Sequence, residues 1–356
     1  MRQTSANRIL GLLLLFSLAG GLLLSLLNPA TVRVSGYGAV HSGEWMERYQ
    51  AEYEDQLPLG DLALNVWTAL RYVLFREGQS GLLIGDNNWL FSEEEFSYHP
   101  DGPQRIEANL AFVLQTRQRL QQRGIDLVIA LVPAKARIYP HRLGRYRFPD
   151  YAEVRYDQFR AALLEHRIAA PDLAAALTVA MAHGEVFLRS DTHWTPHGAH
   201  AAAAALAVAA DPLLEQRGSA RARFRLDAQP PLEHSGDLLN FLPLGPFADR
   251  LGPEPDRVRQ FRAQQVEAAD IGLFDDVSIP VTLIGTSYSA GEVWNFEAFL
   301  KRELRADVLN LAQQGRGPFA PMRDYLDSPT IEDVPPDLVI WEIPERYLVS
   351  ADFSAN

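Results

Sequence analysis

Leu127-Val128-Ile129-Ala130-Leu131-Val132, closed by Pro133, is a continuous apolar run. It does not alternate with polar residues, so neither face is prepared for water. That pattern suits a strand covered on both sides, as in a parallel sheet. Upstream, residues 104–123 place Leu110, Val113, Leu114 and Leu120 at helical spacing, and Gly124 stops the helix. Further upstream, residues 62–76 read as helical, and the turn Gly85-Asp86-Asn87-Asn88 leads into the strand-like Trp89-Leu90-Phe91. Downstream, residues 151–166 and the alanine-rich 171–181 read as helices, and Val186-Phe187-Leu188 as a short strand. Thr195 is placed to cap, Pro196 fits a first helical position, and residues 197–210 are nearly all Ala, Leu and Val. The alternation returns with strands at 279–284, 308–311 and 338–341 and a helix at 291–305. Strands alternating with helices predict an α/β fold: a three-layer α/β/α sandwich around a mostly parallel sheet. Residues 213–276, rich in Arg, Gln and Pro, are expected to be an insertion in a domain spanning 85–356.

The chain has 356 residues, a net charge of −12, 47% hydrophobic residues and 22% charged ones. This composition excludes a mainly disordered chain. The acidic balance argues against a general nucleic-acid binder. The absence of cysteine removes disulfides, cysteine nucleophiles and thiolate metal sites. Residues 9–27, ILGLLLLFSLAGGLLLSLL, carry no charge. As a helix they would span roughly 28 Å, close to the hydrocarbon thickness of a bilayer. Arg2 and Arg8 precede the run, which keeps the N-terminus cytoplasmic. Residues 1–30 are therefore expected to be an uncleaved signal anchor crossing the membrane once. Residues 31–84 would follow as a membrane-proximal segment.

Three constellations could carry chemistry, and all lie at strand ends, where open α/β sheets place their sites. Gly285-Thr286-Ser287-Tyr288-Ser289 follows the strand 279–284. A serine on such a turn can expose its hydroxyl and bring backbone N–H groups near an oxyanion; a plain helix cap would look the same. Ser190-Asp191-Thr192-His193-Trp194-Thr195-Pro196-His197 is denser. Asp191 and His193, two apart in an extended segment, point to one side, so the carboxylate can hold the imidazole in one tautomer and leave its other nitrogen as a base. A loop hydrogen-bond network and a metal set of Asp191, His193, His197 and His200 are the competing readings. The third constellation is the pair of segments after the last two strands, 310–315 (NLAQQG) and 341–347 (WEIPERY).

Together these segments resemble the SGNH/GDSL hydrolase superfamily in permuted order. Gly285-Thr286-Ser287 is similar to its nucleophile block, with Thr where that block has Asp. Asn310 and Gly315 match the Asn-(x)4-Gly block. Pro336-Asp337-Leu338-Val339-Ile340-Trp341-Glu342 resembles the strand before the third block, with Arg346 where that block carries Asn. Asp191-Thr192-His193 stands for the Asp-x-x-His block with one residue fewer between, and it comes first in the chain instead of last. This order, with D-T-H-W-T-P-H-G, G-T-S-Y-S, V-P-A-K-A-R-I-Y-P (132–140) and D-N-N-W-L-F (86–91), resembles the bacterial AlgX/AlgJ family of polysaccharide O-acetylation proteins.

The resemblance implies an O-acetyltransferase working through an acyl-serine, with Ser287 as nucleophile, His193 as base and Asp191 as its orienting acid; a carbohydrate acetylesterase with the same triad and a non-catalytic scaffold subunit of an exopolysaccharide complex are the alternative readings. It implies an oxyanion hole from the N–H groups of Ser287 and Gly315. Arg346, Asn310, Tyr288, Trp194 and Lys135 are the candidates for substrate or oxyanion support. No cofactor or metal is expected. The implied partners are a polysaccharide acceptor such as alginate or cellulose, a multi-pass membrane acetyltransferase as acetyl donor, and other exopolysaccharide-machinery subunits. The implied location is the bacterial inner membrane, with the catalytic domain in the periplasm.

Overall fold

The computed structural model describes Leu15, residues 19–23, 60–266 and 279–350. Among these, no helix is long and apolar enough to cross a membrane. The expected span at 9–27 lies outside them except for Leu15 and residues 19–23, which are helical.

The chain divides into two compact units. The smaller is Met1–Gly78 with Leu242–Pro253. Its helix α1 (Gly60–Phe75) is crossed closely by the turn at Gly245, where an added Cβ would stand 2.2 Å from the Asn65 amide nitrogen.

The larger unit, Gln79–Phe241 with Glu254–Asn356, is built on a four-stranded sheet. Its strands β3 (Asp126–Val132), β6 (Val281–Ile284), β7 (Val308–Asn310) and β8 (Leu338–Pro344) lie in the order β3-β8-β6-β7, all parallel. A separate hairpin, β1 (Leu82–Ile84) with β2 (Leu90–Ser92), uses the turn at Asp86–Asn88. The remaining strands, β4 (Phe224–His234) and β5 (Asp256–Gln265), pair antiparallel as an isolated ribbon. That ribbon lies within the expected insertion, while residues 242–253 of the same stretch group with the smaller unit. Residues 186–188, read as a strand, make only a single bridge, Phe187 to Trp194.

The apolar run 127–132 is buried on both faces. Val128, Ala130 and Val132 join one core with Val281, Leu283, Leu338 and Ile340; Leu127, Ile129 and Leu131 join another with Val339, Trp341 and Ile343. The first core is closed by α4 (Leu173–Ala180), α5 (Pro196–Arg217) and α7 (Phe296–Leu304). The second is closed by α2 (Gly102–Gln122), α3 (Arg155–Glu165) and α8 (Phe319–Asp327). Helices on both faces give the three layers.

α5 shows its local logic. Thr195 Oγ1 accepts from the Gly198 N–H at 3.1 Å, Pro196 opens the helix, and Gly218 ends it in the left-handed region at φ 67°. The helix runs a full two turns beyond residue 210, because Pro212 is accommodated inside it. The short helix α6 (Ser287–Ala290) follows β6 directly, with Thr286 as its capping residue.

Candidate active site

β6 delivers Gly285-Thr286-Ser287 from the middle of the sheet, flanked by β8 and β7. Thr286 caps α6 by accepting from the Tyr288 N–H at 3.3 Å. Beneath the turn lies Glu342 of β8, wholly buried. Its carboxylate accepts from the Thr286 N–H at 2.7 Å, from the Thr286 hydroxyl at 3.0 Å and from the Ser289 hydroxyl at 3.1 Å. Gly285 is needed for this approach, since a Cβ there would stand 2.4 Å from a Glu342 oxygen. Burial pushes the Glu342 carboxyl up to about 7 against the pull of these donors.

His193 meets Ser287 across the end of the sheet. Its Nε2 stands 2.7 Å from Ser287 Oγ, and its Nδ1 stands 2.6 Å from Asp191 Oδ1. An ionised carboxylate only accepts, so Nδ1 carries the proton and Nε2 is left to accept from the serine hydroxyl. Asp191 is buried, which opposes its charge, but hydrogen bonds from His193 and His234 outweigh that and hold its carboxyl well below the usual range. The His193 ring is stacked on Trp294, with centroids 4.1 Å apart and planes 11° from parallel. The same indole donates from Nε1 to the Ser287 carbonyl at 3.1 Å, so one side chain braces both His193 and Ser287.

The loop 190–193 is held from below by Lys135. Its ammonium donates to the carbonyls of Leu90 (2.6 Å), Arg189 (3.0 Å) and Asp191 (2.9 Å). All three donors are thereby used, and the side chain has no exposed surface. Lys135 therefore supports the loop and does not face a substrate; burial lowers its pKa to about 8 against the surrounding carboxylates. Tyr288 is likewise buried and donates its hydroxyl to the Thr192 carbonyl at 2.6 Å. Trp194 has no exposed surface and packs against Tyr288 and Phe296, so it does not face a substrate. Trp89 is 2% exposed and packs against Tyr139. Asn310 donates to the Ser289 carbonyl at 2.9 Å and accepts from the Ala312 N–H at 3.1 Å, so it ties α6 to the β7 loop.

Beyond Asn310, the β7 loop runs beside the 285–287 turn. The Gln313 N–H donates to the Gly285 carbonyl at 3.0 Å, and Gly315 follows two residues later in the left-handed region at φ 74°. Gly315 lines a cleft of about 620 Å³ with Arg316, Gly317, Arg323 and Tyr347. Arg346 approaches the site through aromatic rings, its guanidinium 5.6 Å from the Tyr288 ring centre and 5.1 Å from that of Tyr347. The alternative metal set is not assembled: His197 faces the Ala180 carbonyl, and His200 pairs with Glu303.

Several site residues escape the sequence reading. His234 and Asp237 come from the base of the ribbon, and Asp256 from its return strand. His234 Nε2 is 2.7 Å from Asp191 Oδ2. Asp237 accepts from the Thr192 N–H at 2.8 Å and from its hydroxyl at 2.5 Å. Asp256 accepts from the Ser190 N–H at 2.9 Å and from its hydroxyl at 2.6 Å. These three lie in a stretch of weak periodicity; the only sequence signal was a cluster of titratable side chains where no core was being built.

Residues 82–345 match the family of the SGNH hydrolase-like domain, acetyltransferase AlgX. The chain belongs to this family. "Probable alginate O-acetylase AlgJ" of Azotobacter vinelandii is 41% identical over 354 residues, covering 97% of this chain and 90% of that protein. The AlgJ protein of Pseudomonas aeruginosa, described in the same words, is 39% identical over 348 residues, covering 93% and 88%. Among solved structures, the O-acetyltransferase domain of Pseudomonas putida AlgJ superposes with a TM-score of 0.69 at 42% identity, covering 78% of this chain and 95% of that one. Pseudomonas aeruginosa AlgX shares the fold at a TM-score of 0.57 and 23% identity, covering 77% and 68%.

Proposed function

We propose that this chain is an O-acetyltransferase that acetylates alginate through an acyl-serine intermediate on Ser287. The observation that carries the reading is the continuous line of hydrogen bonds from Asp191 through His193 to Ser287, 2.6 Å and 2.7 Å long. Relatives at about 40% identity over most of the chain, named for alginate O-acetylation, support the acceptor.

In the first step His193 Nε2 takes the Ser287 proton as Oγ bonds to the acetyl carbonyl carbon. The N–H groups of Ser287 and Gly315 would receive the oxyanion. As the donor's C–O bond breaks, the leaving alcohol takes the proton back from His193, and the acetyl group remains on Ser287. In the second step His193 accepts a proton from a polysaccharide hydroxyl, that oxygen bonds to the acetyl carbon, and Ser287 Oγ leaves and is reprotonated. The donor in this reading is an acetyl ester or acetylated group presented by a multi-pass membrane acetyltransferase, within a larger exopolysaccharide machinery. The uncharged run at 9–27 supports a single-pass inner-membrane anchor with the catalytic unit in the periplasm.

The test is mass spectrometry of the full-length protein after incubation with an acetyl-ester surrogate. The expected result is one acetyl group on Ser287, absent in His193→Ala and in Ser287→Ala. A folded wild-type protein that neither gains acetyl nor turns over the ester would overturn the reading. Acetylation of Ser287 followed by release only to water, with alginate present, would convert it to an esterase.

A further inference from the structure

The carboxylate of Asp191 is shared. Oδ1 receives two donors from His193, the ring Nδ1–H and the backbone N–H at 2.9 Å. Oδ2 receives two others, His234 Nε2 at 2.7 Å and the Asp237 backbone N–H at 3.1 Å. One half of the carboxylate therefore belongs to the base, and the other half to the ribbon. His234 is the last residue of β4 and pairs in register with Asp256, the first residue of β5. Its ring stands edge-on to Trp294, centroids 6.4 Å apart at 87°, while that indole lies flat on His193. The backbone is pressed close here as well: a Cβ on Gly236 would stand 2.1 Å from the Ser190 carbonyl oxygen.

We propose that His234 is a positioning residue for the acyl transfer: bonded to Oδ2, it fixes the Asp191 carboxylate that orients His193. This rests on the acyl-serine reading above. Without His234, Oδ2 would keep only the longer bond from the Asp237 N–H, at 3.1 Å; a buried carboxylate held so weakly would turn or admit water, and either change would release the imidazole from the tautomer that faces Ser287. His234 adds a pH response. The groups that face it are Asp191, Asp237 and Asp256, with His193 across the shared carboxylate and Lys135 beneath the loop. Its bond to Asp191 raises its pKa above the ordinary histidine value, against burial. When protonated, it places a cation on the carboxylate that must stabilise the imidazolium formed at His193, and so opposes that step.

The experiment is the burst of nitrophenolate released on acylation of the full-length protein by 4-nitrophenyl acetate, measured across pH for wild type, His234→Ala and His234→Gln, with melting temperatures alongside. Loss of the orienting aspartate in a serine triad costs about 10⁴-fold, so a group acting one bond further out is expected to cost about 10- to 100-fold in His234→Ala. Glutamine offers an N–H to Oδ2 without bearing charge. His234→Gln is expected to recover the plateau rate to within about threefold and, because the opposing protonation is gone, to move the acidic limb of the rate profile to lower pH. His234→Ala within twofold of wild type at every pH would overturn the proposal. Equal losses in both variants that track a fall in melting temperature would also overturn it, because His234 would then be structural. A wild-type protein that shows no burst would instead refute the acyl-serine reading.

Discussion

Glu342 is the buried acid under the Thr286–Ser289 turn, and its position makes a stability prediction. Its folded value near 7 lies above the ordinary glutamate value of 4.5. Between those two values the folded protein holds a proton that the unfolded chain has lost, so stability from this group is present at low pH and declines as pH rises towards 7. Glutamine mimics the protonated acid. The free-energy difference between wild type and Glu342→Gln is expected to move against wild type by about 3 kcal/mol from pH 4.5 to 7, measured by denaturant unfolding. A difference that is flat across this range would show that the carboxyl is ionised throughout. Asp191 works in the opposite sense: its lowered pKa contributes stability at neutral pH that is lost on acidification through its folded value. Comparing the two Glu342 forms removes that background.

The elements meet the site at glycines. Gly198, in the first turn of α5, lies where a Cβ would be 2.1 Å from the Val186 carbonyl oxygen. Gly198→Ala must push the helix start off its neighbour, with an expected cost of about 1–3 kcal/mol by thermal or chemical unfolding. Gly236→Ala meets the Ser190 carbonyl instead. That substitution lifts the ribbon base from the loop holding Asp191 and His193 and loosens the Asp237 contacts. Its expected signature is a fall of at least tenfold in Ser287 acylation, larger than its stability cost explains. If both variants lost stability and activity in proportion, the ribbon would be packing alone and would not set the triad. The cap at Thr195 gives a milder check: Thr195→Ala is expected to lower stability by about 1 kcal/mol.

At the scale of the whole molecule, the sheet divides two cores, and β8 carries the heaviest load. All seven of its residues are buried. Trp341 has no exposed surface, donates from Nε1 to the Pro318 carbonyl at 2.9 Å, and meets Phe112 and Phe319 edge-on. Trp341→Ala leaves a large cavity beside the strand that carries Glu342, and is expected to cost about 3–5 kcal/mol in denaturant unfolding. Val208 on α5 is 78% exposed, so Val208→Ala should fall within about 0.5 kcal/mol of wild type. A small effect at Trp341 would mean that the second core repacks around the loss.

Much of this arrangement is written locally in the chain. The unbroken run at 127–132 suits a strand covered twice, and Thr195-Pro196 announces a helix by cap and first-position chemistry; both signals act between near neighbours. Asp191, His193 and Ser287 were legible because their residue types and strand-end placement resemble a known pattern. The support candidates were less so. Lys135, Tyr288, Trp194 and Asn310 are polar or aromatic residues near site motifs, but the direction of a side chain depends on what packs over it, and all four turn inward to hold the loops. His234, Asp237 and Asp256 lay hidden, because a ribbon without its own core shows little periodicity. By itself the sequence determined the strand-and-helix alternation, the burial of the central strands and the candidate groups for the proposed reaction, since each rests on short-range pattern or intrinsic chemistry. Only the tertiary structure decided that the ribbon reaches the second oxygen of Asp191 and that Trp294 bridges His193 and Ser287. Contacts between residues far apart in the chain arise when packing closes the space between them.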